Sequence, residues 1–200
     1  MIAVTIAVGA KFRALALGAA EAVKRHYKID HVVTLGREQL ARWCAPADRY
    51  PVPGEHVWSL KHQIDRIFPA LERWLYFDAD YKVVNPPDPD VVDALHSDTR
   101  FIGVEDTDTD PAWRASCPPG FLNAGFFVAN RAEHERVFAW CRENYWTVPD
   151  RRWGDQNVMN AALNALKCPK LVLPLKYNVM KTAKHLCPEP VGAHGYWYTH

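Results

Sequence analysis

A short apolar run that ends in two acidic residues limits the possible folds more than any other part of the sequence. Residues 74–77 are Trp-Leu-Tyr-Phe, and Asp78 and Asp80 follow directly, separated by one residue. Four apolar residues without a polar break are typical of a strand that is buried on both faces, as inside a parallel sheet. In open α/β sheets, ligands bind outside the carboxyl ends of the strands. The sequence therefore places Asp78 and Asp80 where a metal ion or a phosphorylated ligand would bind.

The remaining chain alternates between predicted strands and predicted helices. β-Branched, aliphatic or aromatic runs predict strands at 2–8, 31–35, 74–77, 101–104, 126–128 and 171–173. Apolar residues at helical spacing predict helices over 11–26, 64–71, 137–145 and 158–166. Asp88 followed by Pro89 resembles an N-cap with proline at the first helical position, which predicts a short helix over 88–96. There is no internal repeat and no low-complexity linker. This alternation predicts a single α/β domain over residues 1–200, with a largely parallel central sheet flanked by helices.

Composition excludes several classes of partner. The 200 residues are 48% hydrophobic and 24% charged, as in ordinary globular proteins, and the formal net charge of +1 gives no reason to expect nucleic acid binding. No apolar run approaches the roughly 18 residues of a transmembrane helix, and no basic residues precede the apolar start as they would in a signal peptide. The five cysteines lack zinc-site spacing. We therefore expect reduced thiols and a cytoplasmic protein.

The Asp-x-Asp pattern alone carries little information, because the chain repeats it at 88–90, 106–108 and 108–110. The apolar strand in front of Asp78 and Asp80 distinguishes that pair from the others. Carboxylates at a strand end suit Mg²⁺ or Mn²⁺, hard ions that prefer oxygen ligands and share their coordination shell with phosphate. The alternative is a pair of solvated acids that cap a turn. For the acidic segment 105–110, a solvated or mobile connection is the expectation, with a second metal site as the alternative.

Three later segments place polar residues beside predicted strands or helices. Asn-Ala-Gly at 123–125 interrupts an aromatic run; an amide can bind a sugar hydroxyl and a glycine lets the backbone approach a ligand. A turn or bulge that introduces the next strand would give the same pattern. Asp155 follows Gly154 and could be no more than a helix N-cap. Residues 173–178, Leu-Pro-Leu-Lys-Tyr-Asn, predict a strand that ends in a polar loop.

Taken in order, these segments resemble a family of enzymes. The series is Leu-Tyr-Phe-Asp-Ala-Asp at 75–80, Leu-Asn-Ala-Gly-Phe-Phe-Val at 122–128, Gly-Asp-Gln-Asn-Val-Met-Asn at 154–160, and residues 173–178. It is similar to the series in GT-A fold glycosyltransferases, especially the glycogenin-type and bacterial galactosyl- and glucosyltransferases, which are retaining enzymes. The resemblance implies a Rossmann-like GT-A domain. It also implies transfer of a hexose from a nucleoside-diphosphate sugar, UDP-hexose by preference, to a glycan or another hydroxyl acceptor.

The resemblance implies roles for individual residues. Asp78 and Asp80 would bind Mn²⁺, or Mg²⁺, that bridges the donor pyrophosphate, and Asp155 and Gln156 would lie near the anomeric carbon. Lys61 matches a basic residue that reaches the donor, although it could equally be an exposed helical lysine. The implied donor-binding set is Val8, Lys61, Asp78, Ala79, Asp80, Asn123, Ala124 and Gly125.

The family also has a histidine near its end as a third metal ligand. His200, which follows an aromatic run, matches that place best, and His194 is the second candidate. Neither is followed in these 200 residues by the Lys-Pro-Trp segment that the family has after its histidine.

For a retaining reaction, Asp155 is the motif carboxylate available on the far face of the sugar, and Gln156 could serve if charge alone stabilises the cation. Trp113, Trp146 and Trp153 could stack on an acceptor sugar, although core packing would explain each of them.

Two other classes of function remain as alternatives. A nucleotidyltransferase would bring a Gly-rich phosphate loop, which residues 8–11 are too slight to supply. A non-catalytic nucleotide-sugar-binding protein on the same fold is the other.

Overall fold

The computed structural model describes residues 1–50, 54–106, 119–149 and 154–194. The strands are β1 (Ile2–Ile6), β2 (His31–Leu35), β3 (Arg73–Phe77), β4 (Tyr81–Val83), β5 (Phe101–Glu105), β6 (Leu122–Asn130), β7 (Lys170–Leu173), β8 (Val179–Met180) and β9 (Gly192–His194). The α-helices are α1 (Ala10–Tyr27), α2 (Arg37–Trp43), α3 (Glu55–Trp58), α4 (Ile64–Ile67), α5 (Pro89–Ser97), α6 (Arg131–Asn144) and α7 (Asp155–Ala165). Short 3-10 helices cover Ala47–Arg49, Ser59–Gln63, Leu175–Tyr177 and Lys181–Leu186.

Among the described residues, six strands form a central sheet in the order β2-β1-β3-β6-β5-β7. Strand β1 is parallel to β2 and β3, and β5 is parallel to β7. Strand β6 is antiparallel to both of its neighbours, β3 and β5. The prediction of a mostly parallel sheet flanked by helices is therefore confirmed, with one reversed strand in the middle of the sheet.

Helices cover both faces of this sheet, which explains why its central strands are apolar. All four residues of 74–77 are buried. Their side chains alternate between the two faces, as they must in a strand. Trp74 packs in a cluster with Phe138 of α6, whereas Phe77 packs in a separate cluster with Val92 of α5. Strand β3 is thus buried on both sides, as its sequence predicts.

The helix predicted over 64–71 differs from the observed one. Residues 55–67 form one helical stretch in which α3, a 3-10 segment and α4 follow one another without a break. It ends at Ile67 because Phe68 precedes Pro69, and the proline ring disfavours the helical conformation of the residue before it. This stretch runs beside the carboxyl end of β3 and positions Lys61.

Strand β6 is longer than predicted, and it changes the interpretation of 123–125. Asn-Ala-Gly lies inside the strand rather than in a turn before it. The side chain of Asn160 donates to the Leu122 carbonyl at 2.8 Å and accepts from the Leu122 amide at 2.7 Å. On the other side, the Gly125 carbonyl accepts from the Asp78 amide at 2.9 Å. These bonds extend the strand, so the turn interpretation was wrong. The bulge alternative is supported, because the pairing of β5 with β6 shifts register here, from Gly103 opposite Phe127 to Glu105 opposite Leu122.

A second, three-stranded sheet was not predicted from the sequence. Strand β9 is antiparallel to β4 and parallel to β8. It joins the residues after Asp80 to a segment more than 100 positions later in the chain.

No helix in the described part of the chain is both long enough and apolar enough to cross a membrane.

Candidate functional site

Asp78 and Asp80 lie in the turn between β3 and β4. The Asp78 carbonyl accepts from the Tyr81 amide at 2.9 Å, which closes the turn. In the antiparallel pairing of β4 with β9, Tyr81 lies opposite His194. That register brings the histidine to the turn, where one ligand atom each of Asp78, Asp80 and His194 lie within 4.8 Å of one another.

The geometry of this cluster suits a divalent metal ion. The His194 Nε2 atom is 3.4 Å from Asp78 Oδ2 and 3.6 Å from Asp80 Oδ1. Two carboxylates and an imidazole are a donor set that Mn²⁺ accepts. Gly125 of β6 provides the space that these side chains occupy, because a Cβ at this position would lie 2.4 Å from His194 Cε1 and 2.8 Å from Asp78 Oδ2. The close approach of His194 and Asp78 therefore requires glycine at this position.

A buried lysine joins this cluster to a third carboxylate. Lys61 is only 4% exposed. Its Nζ atom lies 3.2 Å from Asp78 Oδ1 and 2.9 Å from Asp155 Oδ2. Asp155 is the first residue of α7, and Gly154, with φ of 51°, holds the N-cap position. The Asp155 side chain is therefore not the N-cap, and it points to Lys61.

Burial and opposite charges act against each other in this group. Burial would raise the pKa of Asp78, but Lys61, His194 and the Tyr76 hydroxyl, which donates at 2.6 Å, lower it overall. Burial would lower the pKa of Lys61, but Asp155 and Asp78 raise it overall. For Asp155, burial raises the pKa even though Lys61 opposes the shift. Lys61 thus stays cationic and Asp78 anionic at neutral pH.

Gln156 is held by two hydrogen bonds within the protein. Its Oε1 accepts from the Ala124 amide at 2.9 Å, and its Nε2 donates to Asp106 Oδ2 at 2.5 Å. The first bond ties α7 to β6, and the second ties α7 to the residue that follows β5. Gln156 therefore fixes the position of Asp155, its neighbour in the chain.

The Asn123 side chain also forms hydrogen bonds within the protein, but they occupy mainly its oxygen atom. Its Oδ1 accepts from the Gly125 amide at 2.7 Å and from Asn178 Nδ2 at 2.8 Å. Its Nδ2 contacts the thioether of Met180 at 3.7 Å, and sulfur is a weak acceptor. The amide nitrogen of Asn123 is therefore the atom best able to donate to a ligand.

A cavity of about 230 Å³ opens beside the Asp78–Asp80–His194 cluster. Two carboxylates, Asp78 and Asp80, lie in its wall, and apolar or aromatic side chains form most of the rest. The lining residues are Ile6, Val8, Phe12, His56, Val57, Trp58, Tyr76, Asp78, Ala79 and Asp80. Such a cavity suits a ligand with one flat, weakly polar part and one anionic part that a metal ion can reach.

Solved structures with the same architecture are glycosyltransferases. The galactosyltransferase LgtC, in complex with donor and acceptor sugar analogues, superposes with a TM-score of 0.66 over 97% of this chain and 86% of that chain, at 15% identity. The bifunctional glycosyltransferase WbbM superposes with 0.67 over 100% of this chain and 46% of that chain, at 16% identity. A glycosyltransferase involved in glycosylation of the major capsid of PBCV-1 gives 0.62 over 96% and 92%, at 14% identity.

This chain has the GT-A fold. No family model matches its sequence, and no curated protein sequence matches it either. At sequence identities of 14–16%, these similarities show that the fold is shared but not that the activity is shared.

Within the GT-A fold, most of the residues singled out in the sequence come together. Asp78, Asp80, Lys61 and Asp155 form one connected group with His194. The predicted residues Val8 and Ala79 line the adjoining cavity, whereas 123–125 lie in β6 next to Asp78 and Gln156. His200, Trp113 and Trp153 lie outside the described residues.

Three residues of the site were missed in the sequence. Tyr76 donates its hydroxyl to Asp78; its place two residues earlier on a strand, and hence on the same face, was a usable signal. Asp106 was expected in a solvated connection, but it accepts from Gln156. Asn178 is 1% exposed and contacts Asn123, which local sequence patterns could not show. The other acidic residues of that connection, 107–110, lie outside the described ranges.

Proposed function

We propose that the protein is a metal-dependent glycosyltransferase. It transfers a hexose from a nucleoside-diphosphate sugar, UDP-hexose by preference, to a hydroxyl group of a glycan or another acceptor, with retention. The observation that carries the proposal is the Asp78–Asp80–His194 cluster at the carboxyl end of β3 in a GT-A fold. A galactosyltransferase with this fold is known with donor and acceptor sugar analogues bound, which supports a sugar donor and a sugar acceptor here.

The three clustered side chains would hold Mn²⁺, or Mg²⁺, against the donor diphosphate. When bound, the ion neutralises the negative charge that develops on the leaving diphosphate. The cavity lined by Val8 and Ala79 would take the nucleoside, because its apolar walls can pack against a base. The amide nitrogen of Asn123 would donate to a hydroxyl of the donor sugar.

Asp155 is the carboxylate that we assign to the reacting sugar carbon. Transfer develops positive charge on the sugar ring, and an anionic side chain held by Lys61 would stabilise that charge or attack the far face. Gln156 lies beside it, but its amide already bonds Ala124 and Asp106. Gln156 therefore acts by holding Asp155 in place. The single GT-A domain over residues 1–200 and the cytoplasmic location remain part of the proposal.

Thermal unfolding with nucleotides tests the binding half of this proposal. UDP, GDP and CDP are compared with and without Mn²⁺, because a ligand that binds only the folded state raises Tm. We expect a Mn²⁺-dependent rise with a diphosphate, which Asp80→Asn abolishes. Asp90→Asn is the matched control, since Asp90 belongs to another Asp-x-Asp pattern and is exposed. No Mn²⁺-dependent rise with any of the three nucleotides would disprove the proposal.

The catalytic half is tested with Asp155→Asn. Hydrolysis of UDP-galactose and UDP-glucose is measured without acceptor, alongside the Tm shift with UDP and Mn²⁺. We expect the variant to lose most of the hydrolysis, because the carboxylate that faces the sugar is gone, and to keep the Tm shift. Unchanged hydrolysis would remove Asp155 from the mechanism. A wild-type protein that binds UDP with Mn²⁺ but turns over neither sugar would be a nucleotide-sugar-binding protein instead.

A further inference from the structure

A second cavity, of about 130 Å³, lies behind the helical stretch that carries Lys61. We call it the aromatic pocket, and its walls include Trp43, Tyr50, His62, Gln63, Tyr145 and Trp146. Within the described ranges it shares no lining residue with the cavity beside the metal cluster. The two cavities are nevertheless close, because His62 lines this one and the preceding residue, Lys61, contacts Asp78 in the wall of the other.

His62 is a buried polar side chain that packs against the Tyr145 ring, but its ring nitrogens have no hydrogen-bond partner in the described part of the chain. It is 2% exposed, and neither ring nitrogen forms a hydrogen bond with any described residue. Burial, with the charges of Lys61 and Arg142, lowers its pKa to about 3, and the Asp155 backbone opposes that shift. The neutral imidazole has one N–H donor and one acceptor nitrogen. A buried group of this kind is costly to leave unsatisfied, so a ligand that bonds it would gain affinity.

The remaining polar groups of the pocket carry no net charge. Arg142 lines the pocket, but its Nη1 lies 2.6 Å from Asp65 Oδ1 and 2.6 Å from the His62 carbonyl, so its charge is paired. Gln63 adds an Oε1 acceptor that has no partner in the described part of the chain. The pocket therefore offers a neutral donor and neutral acceptors, which match a hydroxylated ligand better than a phosphate or a carboxylate.

Aromatic rings supply the other half of the recognition. The rings of Tyr50 and Trp146 lie 5.0 Å apart, and those of Tyr145 and Trp146 lie 5.2 Å apart. Trp146 is 48% exposed, so part of its ring is open to solvent. Aromatic rings present a hydrophobic face, against which the C–H face of a pyranose can pack while its hydroxyl groups bond polar side chains.

We propose that the aromatic pocket binds one neutral sugar unit of a glycan. Its volume suits a single ring and is too small for a nucleotide sugar. Sugar binding here does not depend on the proposed transferase activity, since the donor site lies in the other cavity. A glycan bound by one unit in this pocket would be held close to the group formed by Lys61 and Asp155.

Ligand-observed NMR tests this site with methyl glycosides of glucose, galactose, mannose and N-acetylglucosamine at millimolar concentrations. We expect at least one glycoside to bind, and Trp146→Ala and His62→Phe each to weaken that binding by about tenfold or more. His62→Phe keeps a ring against Tyr145 but removes both nitrogens. Leu17→Ala is the control, because Leu17 is 69% exposed and lines neither cavity; its binding should equal that of the wild type.

Competition separates this site from the donor site. Saturating UDP with Mn²⁺ should leave glycoside binding unchanged, because the two cavities differ in their walls. Displacement of the glycoside by UDP, equal binding in all variants, or no binding of any glycoside would overturn the proposal. If glycosides bind while UDP does not, the aromatic pocket stands and the transferase proposal fails.

Discussion

Lys61 lies between two buried carboxylates, and its ammonium group faces both of them. The distances of 3.2 Å to Asp78 and 2.9 Å to Asp155 put one cation against two anions. Such a group is costly to bury but more costly to break, because removal of one partner leaves the others uncompensated. Lys61 therefore supports the fold of the site as well as its charge.

We expect Lys61→Met to lower the free energy of unfolding by about 3 kcal/mol at neutral pH. The side chain that remains cannot neutralise Asp78 and Asp155, which then repel each other in a buried place. Urea denaturation measures the change. Lys181→Met is the control, because Lys181 is exposed, and it should change stability little. The double variant Lys61→Met, Asp155→Asn should recover part of the loss; a double variant less stable than Lys61→Met alone would contradict this account.

Single residues also show what the sequence could and could not predict. The apolar run 74–77 was enough to place Asp78 at the end of a buried strand, because strand burial depends on local pattern. Lys61 could not be assigned in the same way. Its helical stretch changes to a 3-10 helix at Ser59–Gln63, and a 3-10 helix has a different angular period from an α-helix. The face on which Lys61 lies could therefore not be derived from α-helical spacing.

At the scale of secondary structure elements, β6 departs from its local propensities. Asn and Gly are depleted in strands, and this favoured a turn at 123–125. The structure keeps them in the strand because the neighbours of β6 require it. Gly125 makes room for His194 and Asp78, and Asn160 completes the hydrogen bonds of Leu122. Tertiary contacts, which no single sequence window contains, decided this element.

The three-stranded sheet decides the position of the third candidate metal ligand. Strands β4 and β9 are three residues long each, and β8 is two. Runs this short give no periodic signal, and the pairing of β4 with β9 spans more than 100 positions. The sequence could therefore indicate a histidine near the chain end but not choose His194, whose place follows from the register of β9 on β4.

Gly192→Ala tests whether β9 positions His194. A Cβ at Gly192 would lie 2.0 Å from the Tyr81 hydroxyl and 2.4 Å from the Tyr177 carbonyl, so β9 must shift. We expect a loss of about 1–3 kcal/mol in unfolding free energy, and a weaker Mn²⁺-dependent rise in Tm. Gly18→Ala on α1 is the control, because a Cβ there meets nothing within 4 Å. A full Mn²⁺ response in Gly192→Ala would show that β9 does not control the metal cluster.

At the scale of the whole molecule, many of the buried polar groups in the described ranges lie close together, although others, such as His134 against Phe101, lie in the apolar core. Both faces of the central sheet carry apolar clusters. Buried polar residues such as Lys61, Asp155, Gln156 and Asn123 gather instead around the end of β3. Natural chains accept such costs chiefly at functional sites. The overall α/β layout could be derived from sequence periodicity, whereas this polar group depends on contacts between distant segments.

Two histidines outside this group should make the stability of the whole molecule depend on pH. Burial, followed by Lys61 and Arg142, lowers the pKa of His62 to about 3, and burial followed by Arg73 lowers the pKa of His134 to about 4. Both rings therefore stay neutral in the folded chain at a pH where they are protonated in the unfolded chain. Their contribution is complete above the ordinary histidine pKa of about 6.5 and is lost as the pH falls below it.

We expect the free energy of unfolding to fall by about 2 kcal/mol per pH unit between about pH 6 and pH 4.5, because each histidine contributes up to about 1.4 kcal/mol per unit. The more protonated unfolded state gains as the pH falls, which gives the slope its sign. Urea titrations over this range measure it. In His62→Phe, one of the two protons is no longer taken up on unfolding, so the slope should be about half that of the wild type. An unchanged slope in this variant would mean that the imidazole of His62 is protonated in the folded chain, and that its ring nitrogens bond a partner there.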